Sequence, residues 1–422
     1  MRNYWRRSKI FLRTQKTIPK DEVSLNAQLL IRGGFIDKLA AGIYSFLPLG
    51  WRVMKKIEKI IREEMNRIDG QEIFLPALHP KYFWEETGRW TTMDDLYKLQ
   101  DQSGRDFALG PTHEEIITPL AQKFIFTYRD LPVYLYQIQT KFRQEHRAKS
   151  GLLRGREFIM KDLYSFHTNE EDLDNYYEIV KKAYERIFNR VGLKGKTHLT
   201  FASGGSFSKY SYEFQTLTDA GEDVIYICQH CGQAVNQEIK EETPTCPNCG
   251  ESNFVQKRSI EVGNIFKLKT KFSQAFNFYY TDQNNQKKPV IMGCYGIGLN
   301  RLMGTIVEVW HDQNGIVWPE EVSPFQIYLI EINPFNDSPL HQKAEEIYQN
   351  LAQNNWEIVF DDRSDCSVGE KLAEADLIGI PWQIIISRRT LEKDSVEIVS
   401  RQTKEKTLVK AQIEEIEKFL KR

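Results

Sequence analysis

Apolar residues recur with two different periods along the chain, and the change of period marks its elements. In the stretch 50–69, Val53, Met54, Ile57, Ile60, Ile61 and Ile68 return at helical intervals, with Lys55, Lys56, Glu58, Lys59, Arg62 and Glu63 between them. This predicts a long amphipathic helix that ends at Asp69-Gly70, followed by a short strand over 72–76 stopped by proline. The run 132–142, PVYLYQIQTKF, alternates as a half-buried strand does, and 156–162, REFIMKD, reads as a second strand. Together they predict an antiparallel hairpin whose long polar loop carries Arg147, Lys149 and Arg154. Helical spacing returns over 170–191, with Leu173, Tyr176, Tyr177, Val180, Ala183, Tyr184, Ile187 and Phe188 as a core-facing stripe. Gly293, Gly296 and Gly298 then punctuate an extended stretch that becomes a helix over Leu299–Val309.

The tail has a different rhythm. The segment 318–326, WPEEVSPFQ, breaks both periods and predicts a linker. Beyond it, strand-like QIYLIEI, WEIVF and WQIIIS alternate with helical stretches at 341–354, 371–377 and from 410 onward, which predicts a small α/β domain with a mostly parallel sheet.

A chain of 422 residues is too long for one core, so two or three domains are expected. Hydrophobic residues at 41% and charged residues at 27% are globular values, and a net charge of -1 leaves a nucleic-acid partner neither favoured nor excluded. No apolar run approaches the roughly 20 residues that cross a bilayer, and the opening lacks a signal-peptide core, so the expectation is a cytoplasmic protein without membrane contact. The basic start, with Arg2, Arg6, Arg7 and Lys9, reads as a solvated, frayed terminus. Four of six cysteines form two CxxC pairs, Cys228/Cys231 and Cys246/Cys249, fourteen residues apart. Four thiolates in that pattern close a tetrahedron around structural Zn²⁺ and leave no open position for catalysis.

Candidate chemistry lies in three further clusters: FRQEHR at 142–147 continued by RGREF at 154–158, GPTHEE at 110–115, and GCYGIGLNR at 293–301. Taken alone, the glycine cluster is equally what a strand packed tightly on a helix requires. The order is more telling. An amphipathic helix ending in strand-then-proline, an FRxE strand with an RxxxF return, and a GxGxxR strand-helix resemble the three signature motifs of class II aminoacyl-tRNA synthetases. LGPTHEE at 109–115, REFIMKDLYSFH at 156–167, PVIMGCYGIGLNR at 289–301 and the tail's DDR and GEKLAEADLIGIP resemble the bacterial type of prolyl-tRNA synthetase over nearly the whole chain.

That resemblance implies an α+β class II synthetase catalytic domain, an antiparallel sheet flanked by helices, with a small zinc-ribbon insertion and a C-terminal α/β anticodon-binding domain. The implied boundaries are 1–225 and 257–325 for the two parts of the catalytic domain, 226–256 for the insertion and 326–422 for the anticodon domain. It also implies proline, ATP with Mg²⁺, and tRNA(Pro) as ligands, and a homodimer formed through the long helix. Arg143 and Arg301 are the implied catalytic residues. Arg143 bridges the proline carboxylate and the α-phosphate, while Glu145 accepts from the adenine amino group and Phe158 and Arg301 sandwich the ring. Gly298 and Arg154 complete the ATP site. Thr112 and Glu114, with Arg143, bind proline, and His113 between them points away as a structural residue. Arg147 meets the tRNA acceptor end, and Asp365 and Lys371 the anticodon.

The chain departs from that pattern in places. Asn264 and Tyr212 stand where the usual bacterial member has histidines near the amino-acid pocket, and Cys366 replaces an arginine beside the anticodon loop. The large editing domain between the second and third motifs is absent, its place taken by about thirty residues around the cysteine pairs. Two rival readings are a catalytically silent relative that holds RNA or a partner subunit, and a sister class II synthetase for another amino acid such as threonine or glycine. The presence of Arg143 and Arg301 speaks against the first, and the Thr112/Glu114 loop against the second.

Overall fold

A computed structural model of the chain describes residues 5–19, 22–146, 148, 150–205, 207–333 and 337–421. Arg147 and Lys149, two of the loop cations singled out above, lie outside the described residues. Contacts group the chain into one unit of residues 40–43 and 57–305, and another of 1–39, 44–56 and 306–422.

The first unit is built on a nine-stranded sheet, ordered Tyr210–Leu217, Thr197–Ser203, Ala234–Asn236, Asp223–Cys228, Phe254–Lys269, Ile291–Gly298, Glu157–His167, Val133–Phe142 and Gln71–Glu72. Most pairings are antiparallel, and the expected hairpin of Val133–Phe142 with Glu157–His167 forms, its second strand running five residues past the expected end. The strand expected over 72–76 shrinks to Gln71–Glu72. Its continuation cannot extend the ladder, because the Leu75 N–H donates to the Gln137 side chain at 3.0 Å and Pro76 has no N–H to give.

Helix Glu170–Phe188 buries the expected aromatic face against this sheet. It starts where the Asn169 side chain accepts from the Asp172 N–H and three acidic residues occupy the first turn, favourable at a helix's positive end. Tyr134 and Tyr176 stack with ring centres 3.6 Å apart. Helix Pro48–Asn66 is the predicted amphipathic helix. Its Glu64 is fully buried yet accepts from Arg186 at 2.6 Å and Arg190 at 2.9 Å, which holds the helix to the end of Glu170–Phe188.

The cysteine-bearing segment 226–256 is woven into this sheet. Tyr210–Leu217 also pairs with Phe254–Lys269, so five strands close on themselves, and three of those five carry the segment 226–256. A stretch that short has too little apolar surface for its own core. Ile225, Ile227 and Ala234 instead share one with Leu217 and Val255 of the sheet.

The second unit holds a six-stranded sheet, ordered Trp5–Arg6, Ile358–Asp361, Ile327–Ile332, Trp382–Ser387, Ser395–Ser400 and Lys406–Lys410. The three expected strands are mutually parallel, Trp5–Arg6 adds a fourth, and Ser395–Ser400 with Lys406–Lys410 add an antiparallel hairpin in a stretch for which the sequence suggested no element. The final helix is only Ile413–Leu420. The described part of the basic terminus is not frayed: Trp5–Arg6 is an edge strand, Arg6 donates to Glu345 at 2.6 and 2.7 Å, and Arg7 to Glu374 at 3.0 Å. Nor is 318–326 a loose linker, since Trp318, Val322 and Phe325 are buried.

Candidate active site

The signature residues converge on one cleft of the first unit. Arg143, Glu145, Arg154, Phe158, Gly298 and Arg301 line it together with Glu261, Asn264 and Gly296. Its floor is three neighbouring strands whose register sets Gly296 beside Asp162 on one side and Asn264 on the other. The glycines divide between the two readings left open by the sequence. A Cβ on Gly293 would lie 2.5 Å from the Tyr295 hydroxyl and 2.7 Å from Ser165 Oγ, so that glycine serves packing. At Gly298 the nearest atom is Arg301 Cβ at 3.6 Å, so this glycine leaves the floor open to a flat ligand.

Arg143 follows directly on Val133–Phe142, and its N–H donates to the Arg156 carbonyl at 2.9 Å. The guanidinium lies over the Phe158 ring at 5.3 Å. One Nη donates to the Pro111 carbonyl at 3.4 Å, and the buried Nε has no partner among the described residues. Burial lowers the pKa of this cation, with Asp95 acting in the opposite direction. A buried guanidinium nitrogen left without an acceptor is costly unless an anion completes it.

Arg301, in the first turn of Leu299–Val309, donates to the Leu153 carbonyl at 2.9 Å and pairs with Glu261 at 3.3 Å. Arg154 pairs with Glu145 at 3.4 Å and more closely with Glu222. Asn264 donates to Glu261 at 3.0 Å. Glu261 and Glu222 were missed by sequence reasoning. The EVGN context of Glu261, next to the departure at Asn264, was the available signal, and Glu222 had none.

Thr112 and Glu114 stand beside this cleft on the loop that opens helix Glu114–Ala121. The Thr112 hydroxyl donates to Glu114 at 2.5 Å, and Cys294 Sγ lies 3.4 Å from the other carboxylate oxygen. His113 points away and is fully buried. Lys141 donates to its Nδ1 at 2.7 Å, leaving Nε2–H to donate to the Pro76 carbonyl at 3.1 Å. Burial and Lys141 hold His113 neutral, far below the usual imidazole range. Lys141 in turn forms an ion pair with Asp162 at 2.8 Å. Tyr212 is not among the residues lining the cleft; Lys181 covers its ring at 4.0 Å.

Two groups of sequence candidates lie elsewhere. Asp365 is exposed in the second unit, whereas Lys371 is buried and donates to the Glu331 carbonyl at 2.7 Å, so its ammonium is not at the surface. The four cysteines of the first unit gather their sulfurs within 4.8 Å, with Cys228–Cys249 and Cys231–Cys246 both at 3.5 Å. These spacings are too long for disulfides and match the edge of about 3.8 Å expected of thiolates ~2.3 Å from a tetrahedral zinc. Paired turns present them. The N–H of Gly232 returns to Cys228 O at 2.9 Å and that of Gly250 to Cys246 O at 2.8 Å, each glycine at a φ near +80°, where a Cβ is disfavoured.

Chemically, the cleft offers a stacking platform, a fork of donors for phosphate and carboxylate oxygens, and an adjoining carboxylate-hydroxyl pair suited to an amine. Comparison with known proteins agrees. Residues 97–310 match the family described as tRNA synthetase class II core domain (G, H, P, S and T), and residues 326–422 match Anticodon binding domain. The chain is 34% identical to proline–tRNA ligase of Thermodesulfovibrio yellowstonii, covering 95% of this chain and 96% of that protein, and 34% identical to the Aquifex aeolicus enzyme, covering 94% and 96%. The first of these alignments is 552 residues long against a chain of 422, so at least 130 positions of that relative have no counterpart here. Among solved structures, prolyl-tRNA synthetase of Cryptosporidium parvum with halofuginone and AMPPNP superposes at TM-score 0.78 and 18% identity, over 94% of this chain and 76% of that one. The Giardia lamblia enzyme with prolyl-adenylate superposes at 0.76 and 20%, over 91% and 74%. The chain belongs to the prolyl-tRNA synthetase family, in a short form without the large insertion of its bacterial relatives.

Proposed function

We propose that the cleft activates proline with ATP and passes the prolyl group to the 3'-terminal adenosine of tRNA(Pro). The observation that carries this reading is the partly unmet guanidinium of Arg143, which lies over the Phe158 ring and donates to the carbonyl of Pro111, next to Thr112. A proline carboxylate is already ionised at pH 7, so it attacks the α-phosphorus without a general base, forming the mixed anhydride and expelling pyrophosphate. The protein's task is alignment and neutralisation of charge on the phosphoryl oxygens. Arg143 bridges carboxylate and α-phosphate, and ATP enters as its Mg²⁺ complex. Adenine lies between Phe158 and Arg301 over Gly298, with its amino group donating to Glu145, and Arg154 exchanges Glu222 for phosphate oxygens. Thr112 and Glu114 take the secondary ammonium. A ribose hydroxyl of the tRNA then attacks the prolyl carbonyl and AMP leaves.

The catalytic domain spans 1–225 and 257–325, with 226–256 as a zinc-stapled insertion and 326–422 as the anticodon domain. Cys228, Cys231, Cys246 and Cys249 hold a structural Zn²⁺. Arg147 meets the acceptor end, and in the tail Asp365 faces the anticodon with Lys371 supporting the loop from beneath. The protein works in the cytoplasm as a homodimer. It carries no cis-editing of alanyl-tRNA(Pro), because the segment between the second and third motifs is too short for an editing domain.

Proline-dependent exchange of pyrophosphate into ATP tests the whole reading. Exchange with proline supports it. No exchange with any amino acid favours a silent RNA-binding relative.

A further inference from the structure

Glu114 and Glu115 are consecutive glutamates on the first turn of one helix, and both are buried, at 1% and 0% exposure. Two adjacent buried carboxylates repel each other and lose hydration, so their surroundings decide which stays ionised. One arginine faces both. Arg89 lies 2.8 and 3.1 Å from the two oxygens of Glu115 but 3.5 Å from the nearer oxygen of Glu114. Thr87 adds a second donor to Glu115 at 2.9 Å. The guanidinium is held in this pose by the rings of Trp84, Phe272 and Phe207, at 5.4, 5.7 and 5.8 Å. Burial pushes the Glu115 pKa up to about 7 against the pull of Arg89, with Glu114 adding to the rise, so at pH 8 Glu115 is mostly ionised. The other charged or titratable groups acting on this pair are Lys271, Lys141, Arg143, His79, Tyr164 and Cys294, and Lys141 is already paired with Asp162.

We infer that Arg89 and Glu115 are a positioning pair that sets the charge of the amino-acid pocket: Glu115 holds Arg89 aside so that Glu114 keeps its charge for the substrate's secondary ammonium. This rests on the proline reading above. Arg89 and the two glutamates sum to one negative charge, which the ammonium cancels. Were Arg89 centred on Glu114, cation and substrate would compete for the same carboxylate.

The test compares Arg89→Gln, Glu115→Gln and the double variant in proline-dependent pyrophosphate exchange. Glu115→Gln frees Arg89 for Glu114, and Arg89→Gln leaves two carboxylates that share one proton, which blocks Glu114 as an acceptor whenever it sits there and must leave when the ammonium binds. Each is expected to raise KM for proline about tenfold while KM for ATP stays within about twofold, as for loss of one charged contact. The double variant restores a single negative charge and is expected to recover proline KM to within about threefold of the unsubstituted enzyme. Single variants with unchanged proline KM, or a double variant whose defect is the product of the two, overturn the inference. A wild-type measurement covers variants that do not fold. Calorimetry of proline binding at pH 8 in two buffers of different ionisation enthalpy is expected to show almost no proton release, and release approaching one proton per proline overturns the inference. Wild-type protein that does not activate proline instead sinks the underlying reading.

Discussion

Arg143 is where the account is most exposed at the scale of a single residue. Its Nε is buried without a partner, and lysine offers a point charge where the bridge needs a planar fork. Arg143→Lys is therefore expected to lower kcat for adenylate formation by at least tenfold, corresponding to about 1.5–3 kcal/mol for one charged hydrogen bond, and more if the bond tightens in the transition state. Single-turnover formation of prolyl-adenylate measures it, and a rate within twofold of wild type contradicts the role. That Arg143, Glu145, Phe158, Gly298 and Arg301 share one cleft was legible in the sequence because each lies within a short motif attached to a strand or helix. Their partners were not. Glu261 reaches Arg301 across 40 positions, Arg89 reaches Glu115 across 26 and Glu222 reaches Arg154 across 68, so only the folded sheet brings them together.

Among elements, the cysteine hairpins make the sharpest claim. The two turns end in strands of the main sheet, so metal there should stiffen the closed five-strand ring and not merely a surface knob. Purified protein is expected to contain about one zinc per chain, and its removal by a chelator should speed hydrogen exchange along Asp223–Cys228 while sparing Glu157–His167. Metal-free protein with unchanged exchange contradicts this. In the tail, helix Val368–Ile378 begins with a reciprocal cap between Ser367 and Glu370, and Ser367→Ala is expected to cost about 1 kcal/mol in urea unfolding. Strand periodicity located the parallel core of that unit correctly, through QIYLIEI, WEIVF and WQIIIS, because these strands are buried along most of their length. The hairpin Ser395–Ser400 with Lys406–Lys410 escaped notice because in its last strand only Val409 is buried, which leaves no apolar alternation to mark it as a strand.

For the molecule as a whole, acid should act through ion-paired carboxylates of both units, Glu64 in the first and Asp312 and Asp361 in the second among them. Hydrogen bonds from Arg401 and Lys404 hold Asp312 well below the usual carboxylate range. Burial would raise Asp361, but the hydrogen bonds and charge of Arg363 more than offset it. Both pKa values are depressed on folding, so the stabilisation is full above the unfolded value near 4 and is lost as pH falls through the folded values. The urea midpoint is expected to hold between pH 7 and 5 and to drop below pH 4; a midpoint unchanged at pH 3 contradicts it. The missing insertion has its own consequence. A pocket shaped for proline rejects alanine only about 10–200-fold, since lost methylenes are worth roughly 1–3 kcal/mol. Purified protein given alanyl-tRNA(Pro) should leave it intact, and rapid deacylation contradicts the absence of editing. The central claim is tested most directly by pyrophosphate exchange into ATP with each amino acid in turn. The account requires exchange that is fastest with proline and weaker but measurable with alanine; exchange that favours threonine or glycine, or none with any amino acid, contradicts it.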